Sequence, residues 1–189
     1  SSGVLIQPPA SLQAQNPWLL TSSGALPPDA TSARVVLADG RELSARVLGR
    51  DVPLDLALLA LDTSEHLPTP VTLAPPGSGR LGAIVFSLGN PFQSITRDRI
   101  AAVGRGTISG RYPMPPAPLT RGRYRGHALE TDAPVNPGSW GGPLVDHAGR
   151  LVGMITSSYV RQRRLPVAVP ANLIRLALPL LARGVSVTA

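Results

Sequence analysis

TDAPVNPGSWGGPL, residues 131–144, decides how the rest of the chain is read. Pro134, Pro137, Gly138, Gly141 and Gly142 keep it out of any regular element, because proline lacks an amide donor and glycine admits backbone paths closed to other residues. Apolar segments flank it, ALETDAPV (128–135) before and GRLVGMITSS (149–158) after, and both read as strands. DHAGR (146–150) supplies a turn through Ala148 and Gly149. The stretch is a glycine-shaped loop delivered by strands.

The same punctuation runs along the whole chain, which holds 19 glycines and 21 prolines, enough to keep its segments short. ARVVLADGRELSARVLGRD (33–51) reads as a hairpin turning at Asp39-Gly40. LDLALLALD (54–62) and LGAIVFSLG (81–89) are continuous apolar runs of strand length, as expected for tightly buried barrel strands. One helix is expected at the end: Pro170 or Asn172 starts it, Leu173, Leu176, Leu180 and Leu181 fall near helical spacing, and Gly184 ends it. Many short strands with turn signals predict an all-β fold. APPGSGR (74–80) links two β units, giving an N-terminal half over 1–78 and a C-terminal half over 79–189.

The chain of 189 residues is 43% hydrophobic, enough for a packed core, and no apolar run approaches the ~20 residues that span a bilayer as a helix. Cysteine is absent, which excludes disulfides and thiolate chemistry. Every one of the 18 basic residues is arginine, against 11 acidic ones, and the formal charge of +7 favours anionic partners.

Seven segments, in order, resemble the HtrA/Deg group of trypsin-like serine proteases. SSGVLI (1–6), WLLTSSGAL (18–26), LADGRELSARVLGRD (37–51) and LDLALLALD (54–62) are similar to that family's first half. IVFSLGNPF (84–92), TDAPVNPGSWGGPLVDHAGRLVGMIT (131–156) and LPVAVPANLI (165–174) are similar to its second. The resemblance implies two packed antiparallel β-barrels of the trypsin-like type with a C-terminal helix, and a cleft between the barrels that holds the reactive groups. The family carries a further strand before the segment that opens here, and usually a PDZ domain after the helix. Neither is expected within these residues. The cell envelope or secretion is the compartment the family implies.

Acyl transfer of this kind needs a hydroxyl nucleophile, an imidazole base and an orienting carboxylate. The resemblance places Gly24 at the histidine position, Asp55 at the aspartate position and Trp140 at the serine position, with Ser139 just before it. Losing such groups leaves ~10³–10⁴-fold catalysis over water, whereas working enzymes typically exceed ~10⁶-fold. The expectation is therefore no enzyme but a pseudoprotease, acting as a protein- or peptide-binding scaffold. Gly138, Ser139 and Trp140 would form a vestigial oxyanion loop, Asp55 would serve as a structural acceptor, and Trp140 would fill the cleft as packing, with an exposed binding anchor as the lesser alternative. An alternative is a serine endopeptidase with a relocated or partner-completed site, although His66, His127 and His147 are dispersed in sequence.

Two basic loops stand apart. GRYPMPPAPLTRGRYRGH (110–127) carries Arg111, Arg121, Arg123 and Arg125, and SSYVRQRRLP (157–166) carries Tyr159, Arg161, Arg163 and Arg164. By the resemblance both lie on the cleft side of the second barrel. They point to an acidic protein or peptide, with nucleic acid or anionic lipid as further readings. No cofactor or metal is expected.

Overall fold

The computed structural model describes residues 1–9, 16–63 and 66–185. It is built from strands and closes on one terminal helix. Strands β1 (Gly3–Ile6), β2 (Trp18–Thr21), β3 (Ser32–Val36), β4 (Glu42–Asp51) and β5 (Leu56–Leu61) form an antiparallel sheet in the order β1-β2-β5-β4-β3. The hairpin read at Asp39-Gly40 joins β3 to β4, with Gly40 in the left-handed region at φ 86°. β5 is the apolar run expected to be a buried strand, and it pairs centrally between β2 and β4.

The second unit is a closed barrel. β6 (Ile84–Gly89), β7 (Ala102–Pro113), β9 (His127–Thr131), β10 (Pro143–Val145), β11 (Leu151–Ile155) and β13 (Val167–Pro170) close in the order β10-β11-β13-β9-β7-β6. A short helix α1 (Ser94–Asp98) lies between β6 and β7. Two two-residue strands, β8 (Thr120–Arg121) and β12 (Tyr159–Val160), pair with each other outside the barrel. The first sheet stays open between β1 and β3, where a cavity of about 530 Å³ is lined by Leu5, Leu19, Ala33, Val35 and Leu59. Neither Asp55 nor Trp140 lines it.

The halves share one core. Val4, Ile6, Leu20, Leu56 and Leu58 of the first sheet pack with Leu151, Met154 and Val167 of the barrel. Helix α2 (Ala171–Leu181) caps that cluster with Ile174, Ala177, Leu178 and Leu181. Its last turn presses on the first sheet so closely that a side chain at Gly49 would collide with the Leu181 carbonyl. Pro179 sits near the end of α2, where the one hydrogen bond it forgoes costs little cooperative structure.

Candidate functional site

β2 runs into a 3₁₀ turn, Ser23–Ala25, whose N-cap is Ser22. The Ser22 hydroxyl accepts from the Gly24 amide at 3.2 Å, the usual use of a serine at such an end. Asp55 reaches this turn from the β4–β5 connection in a left-handed conformation, φ 53°. It is only 2% exposed. Its Oδ1 accepts from Ser22 Oγ at 2.7 Å, Ser23 Oγ at 3.0 Å and the Gly24 amide at 3.3 Å. Oδ2 is buried and meets no donor.

Gly24 is exposed above this carboxylate. A Cβ placed on it would stand 3.9 Å from Asp55 Oδ1, in ordinary contact. A side chain here would thus begin beside the aspartate. The serine hydroxyls at 22 and 23 are the acceptor's working partners. Their role is not marked in the sequence, since serines in a turn bond to many kinds of acceptor.

The facing wall is the loop between β9 and β10. Gly138 and Gly141 adopt φ 103° and 86°, which only glycine takes without strain. Ser139 N donates to Asn136 O and Gly142 N to Ser139 O, each at 3.0 Å, while Gly141 N donates to Ile155 O at 2.8 Å. Among the described residues, the amides of Gly138 and Trp140 have no protein acceptor. Two such donors on one tight loop suit a carbonyl or carboxylate oxygen.

The two walls are tied by Ser2. Its hydroxyl donates to Gly138 O at 2.7 Å and accepts from Asn90 N at 2.9 Å. Its amide donates to Trp140 O at 2.8 Å, and its carbonyl accepts from Thr21 Oγ1 at 2.6 Å. Gly141 abuts Thr21 and Ser22, leaving no room for a side chain.

Ser139 and Trp140 point to different surroundings. Ser139 is 6% exposed and packs on Gly89, where an added Cβ would lie 2.6 Å from its own. No histidine bonds to it among the described residues: His127 lies on β9, His147 in the β10–β11 turn, and His66 offers its carbonyl to Arg41. Trp140 is 38% exposed, which corrects the expectation that it fills the cleft as packing. The loop's backbone bonds already fix its path, so the indole is free to stand outward.

The basic loops meet through the β8–β12 pair, with Tyr159 opposite Arg121 and Val160 opposite Thr120. Arg125 N donates to Pro53 O at 2.8 Å, two residues from Asp55, so this ribbon borders the site. The Arg125 guanidinium is spent on Gly122 O and Tyr124 O, both at 3.0 Å. Arg163 is an anchor: its Nη2 lies 3.0 Å from Oε1 of the fully buried Glu130, as an ion pair without hydrogen-bond alignment, and its guanidinium stacks 5.2 Å over Tyr112. Tyr112 in turn donates to Glu130 Oε2 at 2.5 Å, and burial followed by that bond pushes its phenol above the usual range. Arg111 is not brought to this group. With Arg80, Leu129 and Asn172 it lines a separate groove beside the start of α2. No cluster of metal-ligating residues occurs among the described residues.

The trypsin-like peptidase domain family matches residues 1–154. A probable periplasmic serine protease do/HhoA-like of Haemophilus influenzae is 33% identical over 177 residues, 90% of this chain and 34% of that protein. Protease Do-like 1 of Arabidopsis thaliana chloroplasts is 33% identical over 133 residues, 69% of this chain and 28% of its own length. The chain thus spans about a third of the curated relatives it matches. Among solved structures, the HtrA-type protease AlgW with a decapeptide superposes at TM-score 0.73 with 30% identity, covering 95% of this chain and 50% of that one. These names overturn the expectation that the chain is not an enzyme, since relatives and structural neighbours alike are proteases. That expectation rested on the residues at two positions, Gly24 and Trp140.

Proposed function

Because this chain belongs to the trypsin-like peptidases of HtrA type, we propose that it holds an extended polypeptide segment between its two walls, as a protein- or peptide-binding domain. In this reading the histidine and serine positions have been exchanged for Gly24 and Trp140. The observation that carries it is the 136–142 loop, which keeps two unengaged amides beside an exposed indole. The amides hold a peptide carbonyl, and Trp140 supplies the large, rigid contact area typical of a binding anchor. That a solved relative is described with a decapeptide supports the same use of the fold.

The test is capture of an unbiased peptide library by the immobilised domain at low and high salt, beside Trp140→Gly. Capture that resists salt and falls at least about tenfold with the substitution is expected. Capture lost at high salt and indifferent to Trp140 overturns the reading.

Asp55 favours a second reading, a serine endopeptidase completed by an imidazole and a hydroxyl from a partner chain. Its buried, unengaged Oδ2 is a ready acceptor for an incoming ring N–H. Peptide cleavage by the assembled protein that disappears with Asp55→Asn selects this reading. Cleavage indifferent to Asp55 rejects it.

A further inference from the structure

We infer that the β8–β12 ribbon is a docking surface for an acidic polypeptide segment, lying outside the cleft. The inference rests on the reading of a polypeptide-binding domain and adds where, and by what chemistry, the flanking part of that polypeptide is gripped. The ribbon unites two loops that together hold no acidic residue over 110–126 and 157–166. Arg121, Arg123, Arg161 and Arg164 are all exposed on it. Among the described residues their side chains form no ion pair or hydrogen bond. Four free guanidiniums on a two-stranded platform are a concentrated source of carboxylate recognition, since each presents a planar fork matched to a carboxylate.

The platform is held rather than loose. Arg163, between Arg161 and Arg164, is fixed by buried Glu130 and Tyr112. Tyr124 N donates to Ser158 Oγ at 3.1 Å, which joins the two loops again. Arg164 itself sits at φ 55°, a conformation costly for arginine and sustained by the amide bonds of Arg163 and Arg164 to Val160 O at 3.1 and 2.9 Å.

The surroundings select carboxylates over nucleic acid and lipid. Single-stranded nucleic acid binds such loops by stacking bases on aromatic faces. Here Tyr124 is fully buried and Tyr112 is engaged by Glu130 and Arg163, leaving only the half-buried Tyr159. A membrane surface calls for apolar side chains to insert, and within these loops Leu119 alone is an exposed large apolar residue. An acidic chain needs neither. Continuity with the site comes from Arg125 N to Pro53 O, so one polypeptide can lie along both.

The test is fluorescence anisotropy with labelled octaglutamate, which has no apolar side chain to seat in the cleft, against labelled dT12 and vesicles of phosphatidylserine and phosphatidylcholine. Octaglutamate is expected to bind at 50 mM salt, to weaken at 300 mM, and to lose at least about tenfold on Arg161→Ala with Arg121→Ala. These side chains have no partner among the described residues, so the melting temperature should not move. Binding of octaglutamate that falls with Trp140→Gly assigns it to the cleft and overturns the ribbon. Tighter binding of dT12 or of the vesicles overturns the choice of carboxylate. Loss of library capture while octaglutamate still binds strikes the cleft reading and leaves the ribbon standing.

Discussion

The closed barrel and the open sheet contribute to one site by different means. On the barrel side, position is written in backbone: left-handed glycines and amide bonds shape residues 136–142 whatever side chain stands at 140. On the sheet side, position is held by side chains, with Ser22 and Ser23 gathered round Asp55. The lesson is that the first wall's path does not depend on the side chain at 140, and an indole stands there with the loop's backbone bonds in place. The second wall depends instead on its side chains, since the hydroxyls of Ser22 and Ser23 hold Asp55 Oδ1 while Oδ2 stays unengaged.

If closure distinguishes the units, core deletions should feel it most. Ile155→Ala, at a fully buried barrel position, is expected to cost about 3–5 kcal/mol in urea denaturation. Val35→Ala, on the half-buried edge strand β3, should cost about 1 kcal/mol. Equal costs would break the comparison. An effect smaller than that of Ile155→Ala probes the sheet wall: Asp55→Ala strips three donors of their acceptor and should cost about 1–3 kcal/mol by the same measurement. Asp55→Asn should cost less, since asparagine tolerates the left-handed backbone and keeps an acceptor oxygen.

The smallest effect belongs to the barrel's outer turn. Burial raises the Asp146 carboxyl, but the amides of Arg150 and Ala148 and the Arg150 guanidinium outweigh it, so its pKa lies below the ordinary 3.8. A value depressed in the folded state contributes stability above the unfolded value and loses it as pH falls through the folded one. Asp146→Asn should therefore flatten melting temperature against pH below about pH 4 and leave the profile near neutrality unchanged in shape.

Much of this architecture was legible in the residues. The apolar run 54–62, the Asp39-Gly40 turn and the terminal helix have local signals that tertiary packing did not override, whereas the run 81–89 starts its strand only at Ile84 and alternates buried with half-buried or exposed positions. β7 had none. Gly104, Gly106 and Gly110 interrupt it, and each is small for a reason supplied from elsewhere in the chain. At Gly106 the backbone of Ala133 comes too close for a Cβ, and at Gly104 the Pro134 carbonyl does. The β8–β12 ribbon was equally hidden, because two-residue strands carry no periodicity and their partners lie far apart in sequence. Of the site, the glycines of the loop and Asp55 could be read directly. The hydroxyls around Asp55 could not, since serines in a turn have many uses and only the fold shows which acceptor they face.

Ser2 has a mechanical meaning. Of its four bonds, two reach the carbonyls of Gly138 and Trp140, one reaches Asn90 beyond β6 and one returns to Thr21 of β2, so tension along β1 is delivered to the loop without passing through the core. A slip of β1 by one residue toward its start would set Gly3, which has no hydroxyl, in that place. The loop would lose the hydroxyl's bonds to Gly138 and Asn90, and Val4 and Ile6 would turn out of the core, because a one-residue slip sends every side chain to the opposite face. The strand's register thus works as a setting that the site reads.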